Sequence, residues 1–292
     1  MTGRVDAHAH SASQPGRREA EALLAAMDAA GVGRTLLVPP AAAPDGNTVA
    51  VAWARTHPDR FAVVAGVRLG DREPVIRSLL ADPAVVGLRL AVHEAGPDWV
   101  DHPTVDVVCR ALKQMGGSLT LYAPRGAAHV GRLARRHPAI ALLVDNLALP
   151  FEFPPDAFAE WDDVVALAAV ELVYLKLSCL PAIDALDYPH PSAVECVRVL
   201  ADAMGPERLM WGSNWPHIGA AAAYLASAQL VAVAVSGLSA AERSAVLGGT
   251  AERVLLGQVS SSSTPSRPQG PQNGAIDIGK WRPRRCVRGS GQ

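Results

Sequence analysis

The sequence predicts an α/β protein whose fold is a parallel (β/α)8 barrel, the TIM barrel. Short apolar segments rich in β-branched residues alternate with helical segments about eight times along the chain, which is typical of parallel strands buried on both faces. The pattern occupies most of the 292 residues, and one such barrel needs roughly 250. An open doubly wound sheet is the alternative, but no G-x-G-x-x-G segment follows a strand, so we favour the barrel.

Hydrophobic periodicity and turn residues set the boundaries of the predicted elements. The predicted strands are Arg4–His10, Thr35–Val38, Phe61–Ala65, Val85–Leu90, Ser118–Tyr122, Ile140–Asp145, Val173–Ser178 and Leu209–Gly212. The predicted helices are Glu19–Ala30, Asn47–His57, Glu73–Ala81, Asp101–Met115, Arg125–His137, Asp156–Val170, Pro191–Met204, Ala220–Val235, Ala240–Leu247 and Ala251–Leu256. Because His57 and His137 each precede a proline at a helix end, we expect both to cap helices at the amino-terminal face, away from a binding site.

Composition restricts the classes of partner. Apolar residues make up 49% and charged residues 19%, with a net charge of −1, so we expect no nucleic acid and no anionic membrane surface as partner. The four cysteines are far apart, which argues against a disulfide framework or a zinc knuckle and suits a reducing compartment. With no apolar leader and no membrane-length segment, we expect a cytoplasmic protein.

Two domains of different character are expected. Residues 1–258 carry the strand–helix pattern and form the barrel. Residues 259–292 are rich in serine, proline, glycine and glutamine and end in several arginines. Such a composition cannot bury a core, so we expect a disordered basic tail.

Polar residues at the carboxyl ends of the strands are expected to meet at one mouth of the barrel. Arg89 and Lys176 interrupt apolar strands, where an unpaired charge would cost several kcal/mol, so an anion or a polar pocket should meet them. Asp6, His8 and His10 alternate along the first strand, so all three are expected on one face, where the two imidazoles can bind one metal ion or one oxyanion. Further strand-end residues are Tyr122, Asp145, Asn146, Ser178, Asn214 and His217.

The motifs at the two ends of the chain resemble those of the amidohydrolase-related (amidohydrolase 2) TIM-barrel family, and most closely its 2-pyrone-4,6-dicarboxylate lactonase-like branch. The motifs are Asp6-Ala7-His8-Ala9-His10, Gly87-Leu88-Arg89, Lys176-Leu177-Ser178 and Arg208-Leu209-Met210-Trp211-Gly212-Ser213-Asn214-Trp215-Pro216-His217. The resemblance implies a metal-dependent-hydrolase-like barrel that hydrolyses a small carboxylated cyclic ester or a similarly activated carbonyl compound. It implies catalytic roles for His8, His10 and Asn214, and contacts to a small anionic substrate for Arg89, Tyr122, Lys176, Ser178 and His217.

The sequence departs from the family pattern at three strand ends. Asn146 stands where the family commonly has a histidine, Asn214 where it has the aspartate that handles the catalytic proton, and Tyr122 where metal-dependent relatives carry a histidine. Because an amide cannot act as a general base, the base would be an imidazole, Asp6 or Asp145.

These departures leave the cofactor and the activity open. Either no cofactor is bound, or one divalent metal, zinc or manganese, binds to His8 and His10 with a third ligand such as Asp145 or His93. The alternatives to a metal-free lactone hydrolase are therefore a metal-dependent amidohydrolase or decarboxylase, and a catalytically impaired barrel that binds a small anionic ligand.

Overall fold

Eight parallel strands in the order β1 to β8 form a nearly closed barrel, in a computed structural model that describes residues 3–12, 17–40, 43, 45–150, 158–178, 180–183, 190–217 and 221–257. The strands are β1 Arg4–His10, β2 Val32–Val38, β3 Phe61–Val67, β4 Val85–Ala91, β5 Ser118–Tyr122, β6 Leu142–Val144, β7 Val173–Leu177 and β8 Leu209–Trp211. The predicted TIM barrel is confirmed. The predicted tail, 259–292, lies outside the described residues.

Helices follow the strands and form the outer layer. They are α1 Arg17–Ala30, α2 Gly46–Thr56, α3 Glu73–Leu80, α4 Pro103–Met115, α5 Ala127–Arg136, α6 Trp161–Ala166, α7 Leu180–Ile183, α8 Pro191–Met204, α9 Ala221–Ala234 and α10 Ala240–Ser244. His57 and His137 are the C-cap residues of α2 and α5, as predicted. The predicted start of α4 at Asp101 is wrong, because His102 is the N-cap and Pro103 opens the helix.

The strands separate two apolar clusters. Outward side chains such as Leu88 and Leu121 pack in the large cluster shared with the helices. Inward side chains such as Leu36 and Met210 form a smaller cluster with residues of the last turns of the domain, including Leu255. Within the described ranges, no helix is long and apolar enough to cross a membrane.

The barrel closes between β8 and β1 through a few main-chain contacts near the mouth. The Asn214 N–H donates to the His8 carbonyl at 2.7 Å, and the His10 N–H donates to the Trp215 carbonyl at 2.7 Å. One isolated parallel bridge joins Ala9 and Trp215. This closure places the two histidines of β1 directly beside Asn214.

Candidate active site

A register shift in β1 separates Asp6 from the two histidines. The pairing of β1 with β2 shifts between Asp6 and Ala9, as a β-bulge does when it re-aims a side chain. The Asp6 carboxylate accepts from the Tyr224 hydroxyl of α9 at 2.9 Å and from the Ser213 N–H at 2.8 Å. The predicted single face for Asp6, His8 and His10 is therefore wrong. Asp6 joins β1 to β8 and α9, and it is not a base in the mouth.

Asp145, directly after β6, is the central anion of the site. Its Oδ1 lies 3.0 Å from His8 Nδ1, and its Oδ2 accepts from Arg89 Nε at 2.8 Å. Lys176 Nζ lies 3.3 Å from Oδ1. Burial disfavours the carboxylate, but Lys176, His8 and Arg89 together hold the pKa of Asp145 well below its usual value. Asp145 is thus the anion that the two cations in apolar strands require.

Lys176 lies beneath the mouth rather than in it. Its side chain is fully buried, and Nζ donates to Thr120 Oγ1 at 3.4 Å in addition to its contact with Asp145. Burial lowers the pKa of Lys176, and Asp145 opposes that shift. Lys176 thus contacts the protein's own carboxylate and supports Asp145 from below.

The hydrogen bonds of the two imidazoles determine which nitrogens face the mouth. His8 Nδ1 meets the Asp145 carboxylate, and His10 Nδ1 lies 3.0 Å from the Val38 carbonyl oxygen. Both partners only accept, so each Nδ1 carries the proton and each Nε2 presents a lone pair in the neutral ring. The two Nε2 atoms are 3.2 Å apart, and Asn214 Oδ1 is 3.2 Å from His10 Nε2.

Both imidazoles favour the neutral state. Burial lowers the pKa of His8, while the Asp145 carboxylate opposes the shift. Burial and then the neighbouring His8 lower the pKa of His10 well below its ordinary value, and its hydrogen-bonded partner is the neutral Val38 carbonyl. Of the two rings, His8 is therefore better prepared to accept a proton, because the imidazolium would face a carboxylate.

The two strand-end asparagines, Asn146 and Asn214, have different surroundings. Asn146 Oδ1 accepts from Ser178 Oγ at 2.6 Å, and Ser178 Oγ accepts from the Asn146 N–H at 3.2 Å. Both asparagines have left-handed backbones, with φ of 53° at Asn146 and 58° at Asn214, which asparagine tolerates better than most residues. Asn214 Oδ1 contacts an imidazole of the cluster, that of His10.

Ser178 is accordingly a support for the turn after β6. Its side chain is buried, and both of its hydrogen bonds go to Asn146. The contact of Ser178 with a substrate stays a prediction.

The remaining predicted mouth residues lie around the rim. The Tyr122 ring stacks against Arg89, with 5.4 Å from the guanidinium carbon to the ring centre, and lies 5.2 Å from the His93 ring. The exposed His217 ring is 4.8 Å from that of His10, edge to face. Tyr122, Arg89 and His217 therefore stay in positions where a bound molecule could touch them.

The expected third metal ligand does not join His8 and His10. Asp145 contacts the far nitrogen of His8, and His93 lies against Tyr122. Among the residues that the structure describes, no group of three or more His, Cys, Asp or Glu side chains is placed to hold a metal ion. Asn214 Oδ1 is the additional oxygen that faces the imidazole pair.

A cavity of about 690 Å³ opens beside the cluster, between the segments that follow β2, β3 and β4. Its polar lining residues include Asn47, Arg68, Asp71, Arg89, His93 and Glu94. Arg89 belongs to both regions, because it lines the cavity and binds Asp145.

Sequence reasoning missed two features of the site. The first is Asp145 as the shared partner of His8, Arg89 and Lys176. A signal existed, because two buried cations require a buried anion and Asp145 ends a neighbouring strand. The second is Arg68 in the cavity lining, which has no distinguishing pattern in the sequence.

Comparisons with known proteins agree with this architecture. Residues 3–256 match the family model described as Amidohydrolase. An L-fucono-1,5-lactonase from Burkholderia ambifaria is 30% identical over 258 residues, which are 77% of this chain and 87% of that protein.

Two solved structures have the same fold. An amidohydrolase from Burkholderia multivorans with bound zinc has a TM-score of 0.74 at 27% identity, covering 87% of this chain and 99% of that one. A probable 2-pyrone-4,6-dicarboxylic acid hydrolase from Acinetobacter baumannii with citric acid bound has a TM-score of 0.72 at 17% identity, with the same coverage of 87% and 99%. With its barrel, its β1 histidines and a family match over nearly the whole described chain, this protein belongs to the amidohydrolase family.

Proposed function

We propose that this protein hydrolyses a lactone, a small cyclic ester, at the mouth of the barrel. The observation that carries the proposal is the pair of imidazole Nε2 atoms, 3.2 Å apart, beside the buried Arg89–Asp145 pair. A general base and a nearby cation are what ester hydrolysis needs. The lactonase names of relatives support the choice of a cyclic ester over other carbonyl compounds.

His8 is the general base in this proposal. Its Nδ1–H is held by Asp145, so its Nε2 lone pair is fixed toward the mouth. Nε2 takes a proton from water as the water oxygen bonds to the lactone carbonyl carbon, and Asp145 stabilises the imidazolium that forms. The arrangement follows the general pattern of a base oriented by a carboxylate.

Arg89 stabilises the charge that develops on the carbonyl oxygen. Its Nε is bound to Asp145, which leaves its terminal nitrogens for the substrate, and the stack on Tyr122 fixes the plane of the guanidinium. When the tetrahedral intermediate collapses, the ring C–O bond breaks and the leaving alkoxide takes the proton back from His8. The product is the open-chain hydroxy acid, and His8 returns to its neutral form.

Asn214 positions the reactants in place of the family's aspartate. Its side chain is 1% exposed and lies 3.2 Å from His10 Nε2. An amide cannot take a proton, so its contribution is a hydrogen bond to the attacking water or the substrate. His10, whose Nδ1 is held by Val38, orients the same molecules without accepting the proton.

His8 and His10 also fit part of a divalent metal site. Each presents Nε2 while its Nδ1–H is held by an acceptor, which is the usual support of a metal-bound histidine. Asn214 Oδ1 would be the third ligand, and it is neutral where the family's aspartate would bring a charge. A bound zinc or manganese ion would polarise a carbonyl or acidify a water molecule. We expect such an ion to bind weakly, because Arg89 and Lys176 are nearby and the donors carry no charge.

A binding barrel without turnover is the second candidate, and the two asparagines favour it. Neither Asn146 nor Asn214 can carry a proton. In this case the mouth would bind an anionic molecule at Arg89 and release it unchanged.

A panel of lactones separates the two candidates. Sugar-acid lactones, pyrone carboxylates and simple aliphatic lactones would be followed by proton release, with the protein as purified, after chelation and after addition of zinc or manganese. We expect hydrolysis of at least one lactone by the wild type and a large loss in His8→Gln. Binding of lactones with no hydrolysis under any of the three metal conditions would support the binding barrel instead.

A further inference from the structure

The cavity beside the reaction cluster is lined by the ends of β2, β3 and β4, on one side of the mouth. Arg89 connects it to the cluster, since its Nε binds Asp145 at 2.8 Å and its side chain is 6% exposed. Within the described part of the chain, the hydrogen bond that the Arg89 guanidinium donates to the protein comes from Nε. The terminal nitrogens therefore present positive charge to whatever occupies the cavity.

The acidic and amide side chains of the lining differ in their contacts. Both ends of the Asn47 amide are bonded to Gly66, with Nδ2 donating to its carbonyl at 2.8 Å and Oδ1 accepting from its N–H at 2.7 Å. Asp71 Oδ2 accepts from the Arg68 N–H at 2.8 Å. The Glu94 side chain is 91% exposed. Asn47 and Asp71 therefore hold the loops that line the cavity, and Glu94 is exposed to solvent.

Arg68 is the second cation of the cavity. It is exposed, and its guanidinium has no hydrogen bond or ion pair to any residue in the described ranges. Its backbone is nevertheless fixed, because Asp71 binds its N–H and the Gly70 N–H donates to Thr104 Oγ1 at 2.9 Å. A guanidinium on an anchored loop, facing a cavity that already contains Arg89, suits a planar or tetrahedral oxyanion.

We propose that this cavity binds an anionic substituent of the lactone, a carboxylate or a phosphate, and that Arg68 is the residue that selects it. The inference rests on the proposed lactone hydrolysis and adds the charge of the substrate and the side of the mouth on which that charge lies. The carbonyl sits at the imidazoles, the ring passes Arg89, and the anionic group reaches Arg68. Because Arg68 is remote from the reacting atoms, its contribution is to binding and not to the chemical step.

Three lactones of one sugar skeleton test the proposal: neutral gluconolactone, carboxylated glucarolactone and phosphogluconolactone. Wild type, Arg68→Gln and Arg72→Gln would be compared by kcat and KM separately. Arg72 is a matched control, because it is an exposed arginine four residues away at the N-cap of α3 and does not line the cavity.

We expect the wild type to prefer one charged lactone, and which one it prefers distinguishes carboxylate from phosphate. Arg68→Gln should raise KM for that lactone about tenfold, the size of one charge-assisted hydrogen bond. Its kcat, and both constants for gluconolactone, should stay unchanged. Equal kcat/KM for charged and neutral lactones, or the same loss in Arg72→Gln, would overturn the proposal.

Binding measurements keep this test separate from the proposed function. Calorimetry would compare phosphogluconate and glucarate with gluconate on the same three proteins, and it needs no turnover. Tighter binding of phosphogluconate or glucarate than of gluconate, lost in Arg68→Gln, supports the anion site even if no lactone is hydrolysed. Equal affinity for all three acids, unchanged in Arg68→Gln, rejects it even if lactones are hydrolysed.

Discussion

The two sides of the barrel mouth differ in how far the protein satisfies its own charges. On the side of β1, β6 and β8, the buried His8, Asp145 and Asn214 are bonded to other parts of the chain. On the side of β2 to β4, the cavity is lined by the exposed Arg68, whose guanidinium has no hydrogen bond or ion pair in the described ranges, and by Arg89, which is bound to Asp145. Buried side chains that are bonded to each other are preorganised before a substrate binds. An exposed charge without a protein partner is available to bind a ligand of opposite charge. The difference fits our proposal that the reaction takes place on the first side and that the second side selects the substrate.

Asp145→Asn should have the largest effect, because Asp145 supports both sides. The change removes the carboxylate charge that contacts both the buried Arg89 and the buried Lys176. Breaking a buried ion pair costs on the order of 3–5 kcal/mol, so urea denaturation should show a decrease of that size in the free energy of unfolding. We also expect the variant to lose lactone hydrolysis.

The control is Asp101→Asn, which also removes a carboxylate that binds two arginines. Asp101 pairs with Arg132 and Arg136, but its side chain is 57% exposed. Exposed pairs contribute about 0–1 kcal/mol. Equal decreases in the free energy of unfolding of the two variants would mean that the buried cluster around Asp145 stabilises the protein no more than a surface network of ion pairs does.

Asn214→Asp tests how a negative charge beside the imidazole pair changes metal binding. A carboxylate 3.2 Å from His10 Nε2 would add a negative donor to the imidazole pair, and we expect zinc affinity to rise at least about tenfold. Zinc titration with a competing chelator measures the change. Asn146→Asp is the matched control, since Asn146 Oδ1 contacts Ser178, and a comparable rise in that variant would contradict the assignment.

Tyr224→Phe should reduce the stability of the protein by less than Asp145→Asn does. The hydroxyl donates to the buried Asp6 carboxylate, which also binds the N–H groups of His8 and Ser213. Leaving one buried carboxylate oxygen without this donor should cost about 1–3 kcal/mol in the free energy of unfolding. Tyr174→Phe, at a buried tyrosine inside the barrel, should cost less, and the opposite order would show that Asp6 does not depend on Tyr224.

The fold was predictable because its signals are local and repeated. Runs such as Ser118–Tyr122 combine β-propensity with apolar outward positions, and the observed β5 has the same bounds. Helix-ending histidines such as His57 precede a proline, and they cap helices as expected. These features depend on near neighbours in the sequence, so they need no knowledge of distant contacts.

The site was less predictable because it depends on pairings between distant strands. Simple alternation placed Asp6 with His8 and His10, but the shifted pairing with β2 turns Asp6 toward α9. Lys176 looked like a substrate ligand because sequence position does not show depth, and its partner, Asp145, comes from another strand. Which residues meet at the mouth could be predicted. Which of them bind each other could not.

His8→Gln is the measurement that tests the central claim most directly. Glutamine can still donate to Asp145, but it cannot accept the proton of water. With the lactone that the wild type hydrolyses fastest, we expect kcat to fall about 10²–10⁴-fold, the usual contribution of a positioned base, in a protein whose unfolding transition is close to that of the wild type. A kcat within about threefold of wild type, well below that range, would contradict the assignment of His8 as the base.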